Sequence, residues 1–404
     1  MPDGVVIVGG GQAGFQTAFS LRADGFEGPI TLIGEEPQVP YQRPPLSKGF
    51  VLGKQSHTQI LLRPENYYAD RRIRFLPGER ASAIEPQEHR VRLKSGVAIP
   101  YDALVLATGA SNRKLSVAGA QLEGVCYLRT FPEAVEIKQR LELASRVVVI
   151  GGGFIGLEIA ASARTLGKSV TVIEALPRLM ARAVAPVVSE FFLRSHVAHG
   201  VDILLGARVQ AIRRREGMAG EIVLEDGSTR PADLIVVGIG IAPNIELAEE
   251  AALPVSNGIR VDEFLRTADA RICAIGDCAE YPNPFAGARV RLESVQNAVD
   301  QAVCVAKAIA GKPEPYRAAP GFWSDQFEIR LQMAGLPTGH DQLVVRGQPE
   351  EGKFSVFYFR KSRLCAVDSV NRSVDHLAAR RLIANGAPLT PEQAADESFG
   401  LRTP

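Results

Sequence analysis

Val5-Val6-Ile7-Val8-Gly9-Gly10-Gly11-Gln12-Ala13-Gly14 is the stretch whose reading decides the fold. Four β-favouring apolar residues in a row read as a parallel strand buried on both faces. Gly9, Gly11 and Gly14 follow on G-x-G-x-x-G spacing, and Phe15 to Leu21 continues as a helix. In such a turn the first glycine makes the tight bend, the second lets backbone approach a pyrophosphate, and the third lets helix and strand pack closely. The phosphate charge then lies at a helix N-terminus, where free N–H groups and the helix dipole favour an anion. A lone glycine motif is weak evidence, but here its context is complete. A second strand, Ile30-Thr31-Leu32-Ile33, is followed by Glu35, an acid placed to accept hydrogen bonds from a ribose.

The pattern recurs downstream. Val147-Val148-Val149-Ile150 leads into Gly151, Gly153 and Gly156, then into a helix containing Leu157-Glu158-Ile159-Ala160. Its second strand, Ser169 to Ile173, ends at Glu174. Two complete dinucleotide folds in one chain imply two dinucleotides. The acid at Glu174 favours NADH over NADPH, because a 2′-phosphate would bring negative charge to the place of a carboxylate. Arg178 and Arg182 lie just downstream, and either could receive such a phosphate, contact the pyrophosphate or face solvent.

Composition narrows the alternatives. At 404 residues the chain suits two or three domains, and its hydrophobic content of 46% supports a large core. A formal net charge of +1 gives no bulk attraction to nucleic acid. No apolar run is long enough to cross a membrane, and the first strand begins almost at once, so neither a signal peptide nor a membrane is expected. Cys126, Cys273, Cys278, Cys304 and Cys365 are scattered. They fit free thiols in a reducing cytoplasm better than a disulfide framework. Cys273 and Cys278 have redox-disulfide spacing, but Cys273 falls inside a strand and neither is in the loop near residue 45. His196 and His199 lack a completing Cys or acidic cluster, so they read as helix-surface residues and no metal is expected.

The remaining segments frame these folds. Tyr41-Gln42-Arg43-Pro44-Pro45-Leu46-Ser47-Lys48 is stiffened by proline, and its later prolines can start a helix. Arg43 and Lys48 read either as part of a basic surface loop or as cations near a cofactor's phosphate and redox ring. Short strands fill 73–106, and Ala107-Thr108-Gly109 stops the last with small residues, as if backbone must approach a ligand. A hairpin turning at Asp226-Gly227 lies within 203–237, and Gly238-Ile239-Gly240 follows it. Asp277 ends the short strand before it, where it can hydrogen-bond polyol hydroxyls or cap a helix. Glu293-Ser294-Val295-Gln296-Asn297 opens a helix to about Ala310. From Phe322 the pattern turns to short strands, a helix over about 374–385 and a polar tail. Trp323 stands at the entrance of that region, as core packing or as a partly buried anchor.

With these motifs in order, the whole chain resembles the FAD-dependent ferredoxin reductases, which pass electrons from NADH to 2Fe–2S ferredoxins of bacterial oxygenases. The resemblance rests on the paired glycine motifs, Tyr41 to Lys48, Ala107-Thr108-Gly109, Ala274-Ile275-Gly276-Asp277 and Glu293 to Asn297. The last run is more similar to reductases serving cytochrome P-450 systems. The resemblance implies an α/β chain with two Rossmann-like dinucleotide-binding domains of glutathione reductase type and a C-terminal α+β domain. It places FAD on 1–112 and 245–320, NAD on 113–244, and the last domain at 321–404. It assigns Gly9, Gly11, Gly14, Glu35, Arg43, Ala107, Thr108, Gly109, Asp277, Val295 and Trp323 to FAD, with Lys48 near flavin N5 and paired with Glu158. It assigns Gly151, Gly153, Ile155, Gly156, Glu158, Glu174 and Gly240 to NADH, and Lys48 and Glu158 to catalysis. It also implies an acidic ferredoxin partner met by local basic residues, with Arg289, Arg291, Lys307 and Arg330 as candidates. Rubredoxin or monodehydroascorbate as acceptor, or a redox-gated binding flavoprotein resembling apoptosis-inducing factor, are the alternatives.

Overall fold

A computed structural model describes residues 3–215 and 218–401. The chain forms two compact units. One comprises Met1–Gln42, Thr58–Ser111 and Ala242–Phe322, and the other Arg43–His57, Asn112–Ile241 and Trp323–Pro404. This partition differs from the three-domain division expected from sequence. The Arg43–His57 segment and the C-terminal sheet both fall with the second dinucleotide fold.

The first unit is built on a parallel sheet ordered Ile272–Ala274, Ala103–Leu106, Val5–Val8, Ile30–Gly34, Ile73–Pro77. Every residue of Val5–Val8 is buried, as the unbroken apolar run requires of a strand covered on both faces. Helix Gln12–Ala23 buries Ala13, Gly14, Phe15, Thr17, Ala18, Ser20 and Leu21, and packs on helix Val295–Ile309. Ser294 caps the latter helix, its hydroxyl accepting from the Asn297 N–H at 3.1 Å.

The second unit repeats the parallel sheet in the order Val201–Leu205, Ser169–Glu174, Arg146–Ile150, Leu234–Val237, Val125–Tyr127. A further sheet of this unit, from the C-terminal region, is ordered Gly321–Gln326, Ile329–Gly335, Arg363–Val370, Lys353–Arg360, Gln342–Gln348. Lys353–Arg360 is buried from Phe354 to Phe359 without alternation. One reason is that Phe354 meets Phe191, on helix Pro186–Ala198 of the dinucleotide fold, with ring centroids 5.4 Å apart. The expected polar tail instead carries a short helix, Pro391–Ala395, with a capping box at Thr390 and Ala394 fully buried. The buried Arg346 guanidinium donates to the carbonyls of Ala394, Asp396, Glu397 and Phe399 and so ties that tail down. The tail is polar because its contacts are made largely by backbone, which a side-chain pattern does not reveal.

Candidate functional site

In the first unit Gly9 sits at φ +121°, and a Cβ there would lie 2.1 Å from the Ala107 carbonyl oxygen. The small residues at 107–109 therefore admit a close backbone approach between two strand ends. A Cβ on Gly14 would lie 1.9 Å from the Gly9 oxygen, whereas a Cβ on Gly11 would meet nothing within 4 Å. Gly11 is also the N-cap of Gln12–Ala23 and supplies no side-chain cap, so the first-turn N–H groups face the open side unsatisfied by the helix itself. Donors without partners beside clear space fit a pyrophosphate. Glu35 follows the second strand, 66% exposed and paired with Arg80 at 2.9 Å.

Thr108 and Gly109 are fixed by Asn244. The Thr108 hydroxyl donates to the Asn244 carbonyl at 2.7 Å, the Asn244 side chain donates to the Thr108 carbonyl at 2.9 Å, and the Asn244 N–H donates to Gly109 at 3.0 Å. Asp277 lies in a single 3-10 turn after Ile272–Ala274. That turn is held by the buried Gln301, whose Oε1 accepts the Gly276 N–H at 2.7 Å, and by Arg291, which donates to the Asp277 carbonyl at 2.9 Å. Val295 is the first residue of its helix, so its N–H has no intrahelical acceptor.

The second unit reproduces the turn. Gly151 is at φ +111° with its virtual Cβ 2.4 Å from the Gly238 oxygen, and that of Gly156 falls 2.1 Å from the Gly151 oxygen. Gly153, the uncapped N-cap of Phe154–Thr165, again opens on clear space. Ile155 is exposed in the first turn. Glu174 is held tightly: its carboxylate accepts the Gly152 N–H at 2.6 Å and the Leu176 N–H at 2.7 Å. Arg178 is committed elsewhere, donating to the carbonyls of Val184 at 2.7 Å and Ala181 at 2.6 Å and to the Ser189 hydroxyl at 2.8 Å. Of the two arginines weighed for a 2′-phosphate, only Arg182 is exposed, 4.0 Å from the place of a Cβ on Gly240 (φ +101°).

The same unit brings Lys48 and Glu158 together. Pro44–Ser47 forms a 3-10 turn that ends at Lys48, whose ammonium lies 2.8 Å from Glu158. Glu158 is only 6% exposed and Lys48 20%, so this pair is well screened from water. Ser47 and Ser324 each donate a hydroxyl to Glu158, at 2.5 and 2.7 Å. One turn along the helix, the Ser162 hydroxyl donates to the Ser47 carbonyl at 2.7 Å. Arg43 donates to the Arg129 carbonyl. Trp323 is half-buried on Gly321–Gln326, whose alternate residues Ser324 and Gln326 are fully buried. Sequence reasoning missed the two serines and Gln326. For Ser324 and Gln326 the signal was a polar alternation beside Trp323, on a face that an apolar pattern would normally fill.

Two expectations are corrected. His196 is not on a helix surface: it is 0% exposed, and its Nε2 lies 2.9 Å from Gln326 Oε1. The C-terminal strand covers that helix face, which a single helix's sequence cannot announce. His199, at the helix end, is part-exposed and stacks on Phe327 with centroids 3.8 Å apart. Among the basic candidates, Arg291 is 7% exposed and ion-paired with Glu293 at 2.7 Å, so it is structural. Lys307 pairs with Glu314 at 3.0 Å and Arg330 with Asp325 at 3.1 Å, while Arg289 donates to the Val261 and Glu280 carbonyls. All five cysteines are free thiols. Burial pushes Cys126 and Cys273 up to about 12 and Cys304 to about 11, and raises Cys278 and Cys365 as well. Such thiols carry little of the thiolate that disulfide exchange needs. Among the described residues no His, Cys, Asp or Glu group could hold a metal, and no helix is long and apolar enough to cross a membrane.

Two uncapped glycine turns on parallel sheets, followed by a separate antiparallel-rich C-terminal sheet, define a two-dinucleotide flavoprotein oxidoreductase. Residues 3–302 match the pyridine nucleotide-disulphide oxidoreductase family and residues 321–404 the reductase C-terminal family; the chain belongs to the ferredoxin reductases of this class. The family uses FAD and NAD(P)H. The chain is 52% identical to rhodocoxin reductase of Rhodococcus erythropolis, over 98% of this chain and 93% of that one. It is 42% identical to putidaredoxin reductase of Pseudomonas putida, over 99% and 96%. Its structure superposes on the ferredoxin reductase for the CYP199A2 system of Rhodopseudomonas palustris with a TM-score of 0.96 and 46% identity, covering 99% of this chain and 98% of that one.

Proposed function

We propose that this chain takes hydride from NADH onto bound FAD and delivers single electrons to a 2Fe–2S ferredoxin that serves a cytochrome P-450 oxygenase. The observation that carries the acceptor is the end-to-end likeness, at 46% identity, to a reductase of a P-450 system. FAD supplies the chemistry that joins a two-electron donor to a one-electron acceptor. The residues of the chain do the rest. The Gly9, Gly11 and Gly14 turn with the free N–H groups of Gln12–Ala23 holds the FAD pyrophosphate, and Glu35 its ribose. Asp277 takes the ribityl hydroxyls, while Ala107, Thr108, Gly109, Arg43, Val295 and Trp323 complete the FAD contacts. Gly151, Gly153, Ile155, Gly156 and Gly240 give NADH its place, with Glu174 on the adenosine ribose. Lys48, oriented by Glu158, sets a cation against the charge that a reduced flavin ring carries.

The absence of any cysteine from Tyr41 to Lys48, with the raised thiols elsewhere, disfavours a dithiol relay. Rubredoxin is the second acceptor to weigh, since a rubredoxin–NAD(+) reductase of Pseudomonas putida is 44% identical over 91% of this chain. The deciding experiment is stopped-flow reoxidation of the NADH-reduced protein by a 2Fe–2S ferredoxin, a rubredoxin and monodehydroascorbate. Fastest transfer to the ferredoxin is expected; preference for either other acceptor overturns the assignment.

A further inference from the structure

Glu158 is the end point of a buried chain of donors that the Lys48 pair does not by itself require. The single hydrogen of Ser324 Oγ is used on Glu158 at 2.7 Å, so its contact with Gln326 Nε2 at 3.2 Å is one in which Gln326 donates. That orientation turns Gln326 Oε1 toward His196 Nε2 at 2.9 Å, which must then carry its proton. Hydrogen bonds therefore run one way, from His196 to Gln326 to Ser324 to Glu158. The three donors stand on two elements, helix Pro186–Ala198 and strand Gly321–Gln326, and all three are fully buried. The far end is closed: His196 Nδ1 is buried with no hydrogen-bond partner, and Phe327 lies against the ring at 5.1 Å. Burial holds the His196 ring well below its ordinary value, at about 4, so it stays neutral and its single proton stays on Nε2.

Aligned hydrogen bonds polarise one another, and a chain ending on a carboxylate puts that polarisation on the charged group. We propose that His196, Gln326 and Ser324 are positioning residues for Glu158, and that through Glu158 they fix where the Lys48 ammonium points. The proposal rests on the role given above to Lys48 and Glu158. None of the three touches substrate in this scheme. Ser47 holds Glu158 Oε2, and the action of the three is to add a fixed donor on Oε1, the same oxygen that meets the Lys48 ammonium.

The test combines a structural and a functional readout. In histidine-15N-labelled protein, His196 is expected as the neutral Nε2–H tautomer from pH 8 down to pH 5. Finding the Nδ1–H tautomer, or a ring that protonates in that range, overturns the chain at its source. In the FAD-loaded protein, Ser324→Ala is expected to slow flavin reduction by saturating NADH about tenfold, leave the KM for NADH within twofold, and lower the flavin midpoint potential. Ser324→Thr, which keeps the hydroxyl, should restore all three. Gln326→Met breaks the chain one link earlier and should show the same signature more weakly; it also serves if Ser324→Ala does not fold. If Lys48→Met is slow but Ser324→Ala and Gln326→Met match wild type in rate and potential, the chain is packing only, and the reading of Lys48 stands. If Lys48→Met is itself as fast as wild type, that reading falls and the positioning role falls with it.

Discussion

The two dinucleotide folds of this chain share a turn and differ in their acid. Gly9 and Gly151 both have positive φ, at +121° and +111°, and Gly11 and Gly153 both open on clear space. Glu35, however, is largely solvent-exposed and shares its charge with Arg80, whereas the two oxygens of Glu174 accept backbone N–H groups, one from Gly152 in the glycine turn and one from Leu176 in its own loop. The loop behind Glu174 is anchored in turn. Arg178 ties 181 and 184, and the Ala185 N–H donates to the Tyr358 hydroxyl at 3.0 Å, which donates on to the buried Asp368. A ribose met by Glu35 meets a carboxylate that can swing. One met by Glu174 meets a carboxylate fixed in advance, and a fixed charge discriminates more sharply against a phosphate.

The largest expected effect comes from the shared part. Gly14→Ala and Gly156→Ala each push a methyl into a carbonyl oxygen, at 1.9 and 2.1 Å, and should cost at least about 1–3 kcal/mol locally. They should part in function. Gly14→Ala is expected to lose flavin absorbance, and Gly156→Ala to stay yellow but lose NADH-dependent ferricyanide reduction. The reverse pattern would swap the two cofactors.

Next in size is nicotinamide choice. Wild type should prefer NADH over NADPH in kcat/KM by about a hundredfold, roughly 2.7 kcal/mol, and Glu174→Ala should shrink that ratio at least about tenfold, chiefly by admitting NADPH. With Arg178 committed to its loop, Arg182→Ala in the Glu174→Ala background should remove much of the NADPH activity gained. An unchanged ratio in Glu174→Ala would show that the fixed carboxylate is not the discriminator.

A third comparison tests the anchor. Burial raises the Asp368 carboxyl to about 7. The unfolded carboxyl loses its proton near pH 4, while the folded one keeps it until about pH 7. Over that interval the native state binds more protons, so stability falls as pH rises from about 4 to about 7 and stays lowered above it. Asp368→Asn should flatten that part of the curve and be more stable than wild type at pH 8 in guanidinium melts. Superimposable curves would mean that Asp368 does not carry this proton.

The smallest effect belongs to Glu35. An exposed ion pair is worth about 0–1 kcal/mol, so Glu35→Ala should weaken FAD retention by less than about tenfold in a flavin-fluorescence release assay. A larger loss would erase the contrast between the two acids.

Much of the fold was legible because its signals are local. The strand Val5–Val8, the turn at Gly9 and the helix behind it are set by residues adjacent in sequence, and so are their counterparts from Arg146 onward. The Ser294 cap and the Asp226-Gly227 hairpin are local in the same way. His196 and the helix Pro391–Ala395 were not legible, because the strand that buries the one and the guanidinium that ties down the other come from segments distant in sequence. Arg346, for example, serves carbonyls about fifty residues away.

By itself, the sequence determined that this protein carries two dinucleotide turns, with an acid after each and no cysteine where a dithiol relay would stand. Those facts depend on residue type and short spacing: only glycine admits the close carbonyl contacts at 9, 14, 151 and 156. Tertiary structure alone decided how the charges are used. It closed Glu174 onto Gly152 and Leu176, spent Arg178 on its own loop, and joined Lys48, Glu158, Ser324, Gln326 and His196 into one buried chain. The physical reason is that a polar side chain removed from water must find its partner wherever the fold brings one, and these partners lie up to 166 residues apart.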